Sequence, residues 1–234
     1  MGQIADNLAV LHDRLRRACD RSGRDPAAVR LMAVSKTHPP ELVREAYDAG
    51  CRLFGENKVQ ELTEKAEALA DLEGVSWAFV GHLQTNKARE VTAVAAELHA
   101  LDSEKLARTL DRRLADLNRT LDVYVQVNSS GEESKFGLSP DEVTAFAQQL
   151  TLYPRLRVRG LMTLAANSSD EQEVRACFRR MQELQAQLRG LASAAGSYDE
   201  MSMGMSGDLE LAVEHGATTV RVGQALFGAR SAAA

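Results

Sequence analysis

Short apolar runs alternate with amphipathic segments along most of the chain. Runs bounded by glycine, proline or polar residues are typical of buried strands, and apolar residues at helical spacing are typical of helices. A leading helix is predicted over residues 4–20, with Leu8, Leu11 and Leu15 on one face. Strands, each followed by a helical segment, are predicted at residues 29–34, 52–54, 76–80, 98–101, 121–127, 156–162, 198–201 and 218–222.

This alternation of strands and helices indicates an α/β protein with a parallel sheet. Eight such units in a chain of 234 residues predict a closed (β/α)8 TIM barrel. The alternative is an open, doubly wound sheet, which normally carries a glycine-rich turn after its first strand. Here that turn is instead Ser35-Lys36-Thr37-His38-Pro39-Pro40. No low-complexity linker interrupts the pattern, so we expect one domain over residues 1–234.

Composition narrows the class of protein. A hydrophobic fraction of 44% is sufficient for a large core, and a net charge of -5 argues against a nucleic-acid-binding protein. Cys19, Cys51 and Cys177 form no CxxC pair, which favours reduced thiols in a cytoplasmic protein over a disulfide framework or a zinc site. The chain shows neither the apolar core of a signal peptide nor an apolar run long enough to span a membrane.

Residues suited to chemistry collect where the predicted strands end, which is where a barrel builds its active site. Lys36 follows the first strand, Asn57 the second and His82 the third, and Lys135 lies in the loop after the fifth. A lysine at the end of a buried strand is costly to desolvate unless it is paired, or is neutral and used in a Schiff base with an aldehyde. The alternative for Lys36 is that the strand has ended and the ammonium group extends to water.

Glycine-containing loops follow the last two strands. Ser206 and Gly207 are expected to open the helix after the seventh strand, and Gly223 and Gln224 the helix after the eighth. Barrels often bind a phosphate at these two loops, where hydroxyl and backbone N–H groups meet. In the alternative interpretation, Ser206 is an ordinary helix N-cap and the glycines only form turns.

Arg221 lies within the eighth strand, and its side chain faces away from those of the flanking valines. Pointing into the barrel, it would be a buried cation that needs a partner. Pointing outward, it would form an ordinary ion pair with the helix layer. A fixed cation beside a heteroaromatic nitrogen would keep that nitrogen unprotonated.

The weaker candidates have structural interpretations of their own. Asn57 would cap the helix that follows it, and Glu56 would balance Lys36 or Lys58. His82 would be a hydrogen-bonded structural residue. Lysine in a loop most often lies in water, which is the alternative for Lys135.

Together these segments resemble the YggS/PROSC family of pyridoxal phosphate homeostasis proteins. The resemblance covers the chain from about residue 30 to 228 and rests on the order and joint presence of short motifs. The motifs are Ala33-Val34-Ser35-Lys36, Phe54-Gly55-Glu56-Asn57 with Gln60-Glu61, Gly81-His82-Leu83-Gln84-Thr85-Asn86-Lys87, Ser134-Lys135-Phe136-Gly137, Gly160-Leu161-Met162-Thr163, Met201-Ser202-Met203-Gly204-Met205-Ser206-Gly207-Asp208 and Val220-Arg221-Val222-Gly223 with Leu226-Phe227-Gly228.

The resemblance implies a barrel like the N-terminal domain of bacterial alanine racemase, which is PLP fold type III, without the C-terminal β domain of that enzyme. It implies pyridoxal 5'-phosphate (PLP) as the cofactor, held as a Schiff base on Lys36. By the same resemblance, Asn57 would line the ring of the cofactor and Arg221 would face its pyridine nitrogen.

The phosphate would be held by Ser206, Gly223 and the backbone of Gln224, again by resemblance. In this family the position of Gln224 usually carries threonine or serine. A phosphate-binding hydroxyl is therefore missing from this chain, although the backbone N–H remains.

The resemblance also implies a function: a PLP carrier in intracellular PLP (vitamin B6) homeostasis, without known catalytic turnover and with PLP-dependent apoenzymes as recipients. Racemases of this fold need a second domain that donates a catalytic tyrosine, and we expect no room for it after the eighth strand. The alternatives are a PLP-dependent amino-acid racemase or lyase, and a cofactor-free aldolase that uses Lys36 on a phosphorylated carbonyl substrate. No long apolar stripe demands a dimer, so a cytoplasmic monomer is expected.

Overall fold

The structure, a computed structural model, describes residues 2–228 of the chain. Its parallel strands form a closed barrel in which each strand pairs with the next along the chain and the eighth pairs with the first. The strands are β1 (Arg30–Val34), β2 (Leu53–Glu56), β3 (Ser76–Phe79), β4 (Glu97–Leu101), β5 (Leu121–Val127), β6 (Leu156–Thr163), β7 (Glu200–Ser202) and β8 (Thr219–Val222). The predicted (β/α)8 barrel is therefore confirmed.

One α-helix precedes the barrel and others follow its strands within the described residues. They are α1 (Gln3–Arg21), α2 (Pro40–Asp48), α3 (Val59–Ala68), α4 (Ala88–Val94), α5 (Glu104–Asp116), α6 (Val143–Gln149), α7 (Glu171–Arg189), α8 (Leu209–Glu214) and α9 (Gln224–Phe227). The predicted buried face of α1, formed by Leu8, Leu11 and Leu15, is confirmed.

Three predicted boundaries are wrong for local reasons. β2 continues to Glu56, because its backbone stays in register with β3 as far as Phe79. β7 begins only at Glu200, since Tyr198 has a left-handed φ of 53° that interrupts an extended backbone. α8 begins at Leu209 because Asp208 first closes a turn, in which its side chain accepts the Met205 N–H at 2.5 Å.

Gly160 sets how closely β6 and β7 approach. The two strands pair at Gly160 and Glu200. A Cβ atom at position 160 would lie 1.7 Å from the Glu200 carbonyl oxygen and 2.6 Å from its carbon. Because both are backbone atoms, no side-chain movement could relieve that contact. Glycine is therefore required for this strand pairing.

The first helix, α1, contacts the elements that follow the last two strands of the barrel. α1 packs against α8 and α9. Asn7 Nδ2 donates a hydrogen bond to the Leu226 carbonyl oxygen at 2.8 Å. Arg14 donates to the Ser206 carbonyl oxygen at 3.0 Å and pairs with Glu210 at 2.7 Å. The loop after β7 and the helix after β8 are thus both tied to α1.

Charged and polar side chains close the amino-terminal end of the barrel. Arg30 Nη1 donates to Glu97 Oε1 at 2.7 Å, and Arg30 Nη2 lies 3.1 Å from Glu200 Oε2. The Tyr124 hydroxyl donates to the same Glu200 oxygen at 2.5 Å. His99 Nε2 lies 2.8 Å from Glu97 Oε2. This network joins the first residues of three strands to the interior of the barrel.

Glu97 should make the stability of the protein depend on pH. Burial opposes its ionisation, but hydrogen bonds from His99 and Arg30 outweigh burial and lower the pKa of Glu97 to about 2. A carboxyl with a depressed folded-state pKa stabilises the fold above its unfolded pKa of about 4.3, and this contribution is lost as the pH falls toward 2. The pH-dependent part amounts to about 3 kcal/mol.

We therefore expect the difference in unfolding free energy between the wild type and Glu97→Gln to be largest above pH 5 and to shrink toward pH 2. Urea unfolding at a series of pH values measures it. Glu64→Gln, on the exposed face of α3, is the matched control, and we expect it to change little at any pH. A Glu97→Gln difference that stayed constant from pH 6 to pH 2.5 would contradict the assignment.

No helix within residues 2–228 is both long and apolar enough to cross a membrane. All three cysteines are buried, and none of them forms a disulfide. The prediction of free thiols is confirmed.

Candidate functional site

A cavity of about 460 Å³ opens at the carboxyl ends of the strands. Its walls come from most of the barrel strands and the loops that follow them. They are lined by Val34, Lys36, Asn57, Val80, Gly81, His82, Gln126, Phe136, Leu164, Met205, Ser206, Gly207, Arg221, Gly223 and Gln224. The structure thus brings together all six residues to which the family resemblance gave a role in cofactor binding, and His82 with them.

Lys36 lies in a tight turn at the edge of this cavity. β1 ends at Val34, but the Ser35 N–H still pairs with the Gly55 carbonyl oxygen at 3.1 Å, so the sheet continues for one residue. The His38 N–H then donates to the Ser35 carbonyl oxygen at 3.0 Å and closes a turn over residues 35–38, called here the Lys36 turn. Lys36 is half-buried, so its side chain is not simply extended into bulk water.

Two buried amide oxygens lie in the cavity wall without a partner. Within the described residues, Asn57 Oδ1 and Gln126 Oε1 have no hydrogen-bond donor. The interpretation of Asn57 as a helix cap is wrong, because α3 begins at Val59 after Lys58 and no side chain caps it. Sequence reasoning missed Gln126, although a polar residue between two valines of a buried strand was a visible signal.

The Arg221 side chain points into the barrel, and the outward interpretation is wrong. Its Nη1 donates to Ser202 Oγ at 2.8 Å and its Nη2 to the Thr163 carbonyl oxygen at 2.7 Å. Within residues 2–228, no carboxylate pairs with this guanidinium, which is only 4% exposed. Burial lowers the pKa of Arg221 to about 10, and the charge of Asp208 opposes that shift.

A chain of hydrogen bonds leads from Arg221 down the barrel to Glu97. Ser202 Oγ accepts from Arg221, so its own proton is available for His99 Nδ1, which lies 2.8 Å away. His99 Nδ1 is then an acceptor, and Nε2 carries the proton that it donates to Glu97. Burial also lowers the pKa of His99, which agrees with a neutral ring. The cavity is thereby connected to the ionic network at the amino-terminal end.

The loops after β7 and β8 contact each other through Ser206. The Ala225 N–H donates to Ser206 Oγ at 3.3 Å, so the hydroxyl faces α9. Ser206 is not the N-cap of α8, whose N-cap position is Asp208. Gly223 immediately precedes α9, and a Cβ there would lie 3.0 Å from the Val34 carbonyl oxygen. The predicted start of the last helix at Gly223 and Gln224 is confirmed.

His82 and Phe136 cover one side of the cavity. Their rings stack with centroids 3.9 Å apart, and His82 Nδ1 lies 3.4 Å from Asp102 Oδ2. Lys135 does not lie free in water, because its Nζ donates to the Ala165 carbonyl oxygen at 2.9 Å and pairs with Glu132 at 2.6 Å. It is absent from the residues that line the cavity within the described chain.

Glu56 is paired with a lysine that the sequence did not single out. Lys65 Nζ, in the middle of α3, lies 2.6 Å from Glu56 Oε1, and both side chains are almost fully buried. Lys58 instead lies 3.5 Å from Glu61. Of the two partners expected for Glu56, Lys36 and Lys58, the second is therefore wrong. The partner was missed because Lys65 follows Glu61 at the i,i+4 spacing of an ordinary surface ion pair.

Residues 6–231 match the model of the family described as alanine racemase, N-terminal domain. A curated relative from Pseudomonas aeruginosa is 44% identical over 231 residues, 98% of this chain and 97% of its own. Another from Aquifex aeolicus is 39% identical over 225 residues, 96% of this chain and 97% of its own. Both relatives are named pyridoxal phosphate homeostasis protein.

Solved structures give the same picture. PipY of Synechococcus elongatus with PLP bound has a TM-score of 0.84 and 39% identity, and the match covers 97% of this chain and all of that one (100%). Alanine racemase from Streptomyces coelicolor has a TM-score of 0.69 at 20% identity. That match covers 94% of this chain and 58% of the racemase chain, and at this identity it shows the fold alone.

Proposed function

Since this chain belongs to the alanine racemase N-terminal domain family, and within it to the pyridoxal phosphate homeostasis proteins, we propose that it binds PLP and acts as a PLP carrier. The observation that carries the proposal is the single cavity shared by Lys36, Arg221 and the loops after β7 and β8. PLP has one group for each of these: an aldehyde, a pyridine nitrogen and a phosphate.

The unpaired groups of the cavity wall support a fit to PLP. Buried acceptors such as Asn57 Oδ1 and Gln126 Oε1 normally have a partner, either in the protein or in water or a ligand. A buried guanidinium is costly unless an acceptor or an anion compensates it. Within residues 2–228, Arg221 has only a hydroxyl and a carbonyl oxygen as hydrogen-bond partners. The unprotonated pyridine nitrogen of PLP would give Arg221 a further acceptor, and the ring hydroxyl would give one of the two amide oxygens a donor.

Lys36 is the residue that would hold the cofactor covalently. Its Nζ would form a Schiff base with the aldehyde of PLP, and one molecule of water would be released. The bond is reversible, because water or another primary amine can displace Lys36. Bound PLP would supply an aldehyde for this attachment and an electron-withdrawing ring for chemistry on amines.

The remaining residues orient the cofactor in this proposal. Ser206, Gly223 and the backbone of Gln224 would bind the phosphate, since a hydroxyl and backbone N–H groups meet there. Asn57 would line the ring. Arg221 would face the pyridine nitrogen as a fixed donor and keep it unprotonated, which weakens the electron sink that amino-acid chemistry needs.

The cavity supports a carrier over a racemase or lyase. A two-base racemase needs an acid–base group opposite the lysine. No tyrosine is among the cavity-lining residues of the described chain, and the nearest substitute is His82, which stacks on Phe136 and lies beside Asp102. We also propose that the protein works as a cytoplasmic monomer of one domain and passes PLP to PLP-dependent apoenzymes.

The carrier function is tested by α-proton exchange. The protein loaded with PLP is incubated with L-alanine in deuterated buffer, beside free PLP at the same concentration and beside Lys36→Ala. We expect exchange no faster than with free PLP, and we expect an added PLP-dependent apoenzyme to regain activity from the loaded protein. Fast exchange that required Lys36 would instead establish the racemase or lyase alternative.

A further inference from the structure

We propose that Glu56, Glu61 and Lys65, called here the clamp, are positioning residues that hold the Lys36 turn in the conformation from which Lys36 reacts. None of the three is among the residues that line the cavity within the described chain, so they would act through the backbone on either side of Lys36. This inference rests on the function proposed above, in which Lys36 attaches the cofactor.

The Lys36 turn has a conformation that its own sequence does not favour. The bond from the His38 N–H to the Ser35 carbonyl oxygen makes Thr37 the third residue of the turn, and Thr37 has a left-handed φ of 66°. A type II turn requires a positive φ at this place and usually has glycine or asparagine there. A β-branched residue in this region is strained and persists only where its surroundings hold it.

The clamp binds both peptide groups that flank Lys36. Lys65 Nζ donates to the Ser35 carbonyl oxygen, in the peptide bond before Lys36, at 2.8 Å. The Thr37 N–H, in the peptide bond after Lys36, donates to Glu61 Oε2 at 2.6 Å. Glu56 Oε1 accepts from the Ser35 hydroxyl at 2.6 Å. The backbone of Lys36 is thus fixed on both sides, while its side chain remains at the cavity.

The clamp is itself rigid because one buried ammonium serves two carboxylates. Lys65 Nζ lies 2.6 Å from Glu56 Oε1 and 3.2 Å from Glu61 Oε2. Lys65 is 4% exposed and Glu56 is fully buried. Moving one of these side chains away would leave a buried charge uncompensated, which is costly. The three side chains therefore hold one arrangement. Since Glu56 is in β2 and the other two in α3, the turn after β1 is fixed to both elements.

The function of this arrangement would be to set the position of the Lys36 amine. A small displacement of a reacting group lowers the reaction rate much more than it lowers the binding affinity. A shift of about 1 Å can lower the rate by about 100-fold. Glu61 is the best member to change, because its side chain is only half-buried, and the bond that it accepts from Thr37 is at the turn itself.

The test measures how fast Lys36 reacts, separately from how tightly the cavity binds. Apo-protein is mixed with PLP, and the appearance of the Lys36 adduct is followed by absorbance and by borohydride trapping. We expect Glu61→Ala to slow this reaction by at least about tenfold. Its affinity for pyridoxine 5'-phosphate, which has an alcohol in place of the aldehyde, should change by less than about twofold. Glu64→Ala, on the exposed face of the same helix, is the matched control.

A second substitution tests the mechanism. Glycine adopts a positive φ without strain, so Thr37→Gly in the Glu61→Ala background should restore at least half of the lost rate on a logarithmic scale. Glu61→Gln keeps an acceptor oxygen for the Thr37 N–H, and we expect it to slow the reaction by about threefold. It replaces the alanine variant if that variant does not fold.

The outcomes separate this inference from the proposed function. If the wild type forms no adduct on Lys36, the proposed function fails. If the wild type reacts and Glu61→Ala and Glu61→Gln react as fast as the Glu64 control, only the clamp inference fails. A loss of pyridoxine 5'-phosphate affinity equal to the loss of rate, or no rescue by Thr37→Gly, would also overturn positioning through the turn.

Discussion

Lys36→Ala is expected to abolish covalent attachment of PLP and to weaken its retention by roughly 100-fold. The physical reason is that the substitution removes the amine that condenses with the aldehyde, while the rest of the cavity wall stays in place. Ser206, Gly223 and Arg221 belong to other strands and loops, where Arg221 is held by Ser202 and Thr163 and Ser206 by the Ala225 N–H. The variant should therefore bind PLP weakly and reversibly, without the absorbance of a Schiff base.

Peptide mapping identifies the attachment site. After borohydride reduction, a modified Lys36 resists trypsin, so the label should lie on the peptide that spans residues 31–44. Lys87→Ala is a suitable control, since Lys87 is exposed and pairs with Glu90 on the protein surface. An unchanged spectrum in Lys36→Ala, or a label on a peptide from another part of the chain, would show that another amine holds the cofactor.

The second large effect is expected on stability, from Gly160→Ala. The new Cβ would lie 1.7 Å from the Glu200 carbonyl oxygen, so β6 and β7 would have to separate. We expect a loss of about 3 kcal/mol or more in unfolding free energy, which corresponds to a drop of about 10 °C in melting temperature. Gly190→Ala is the control, because a Cβ there has its nearest contact at 3.6 Å and its φ of -80° suits any residue.

Gly160→Ala should also affect the cavity that binds PLP. The pairing of β6 with β7 places Thr163 and Ser202 beside Arg221, and both hold its guanidinium. Gly160→Ala should therefore weaken PLP retention at temperatures where the protein is still folded. Equal melting temperatures for the two alanine variants would show that the strands can separate at little cost.

The barrel could be predicted because its strands are buried on both faces. In β4 and β5 almost every residue is buried. Apolar residues therefore occupy most of their positions and mark the strands, although Glu97, His99, Asp122 and Gln126 interrupt the runs. The place of the site followed from a geometric rule, since carboxyl ends of parallel strands meet on one side of a barrel. Lys36, Asn57 and Arg221 lie at or near such ends, and this property is local in sequence.

The clamp and the chain of hydrogen bonds below Arg221 could not be predicted in the same way. The burial of Lys65 depends on Glu56 from another element, and nothing in α3 distinguishes it from a surface lysine. His99 lies within β4 and meets Ser202, which is 103 positions away in the sequence. Such contacts depend on which strands face each other across the barrel. The predicted start of β7 was wrong because a single residue, Tyr198, departs from the extended backbone conformation.

The attachment of α1 has a consequence for how this chain can change in evolution. Asn7 and Arg14 hold the loop after β7 and the helix after β8, which would bind the phosphate. A substitution at one of these positions of α1 therefore requires a compensating substitution near the other end of the described chain, for instance at Glu210. Positions separated by almost the whole length of the sequence should consequently covary among descendants of this gene.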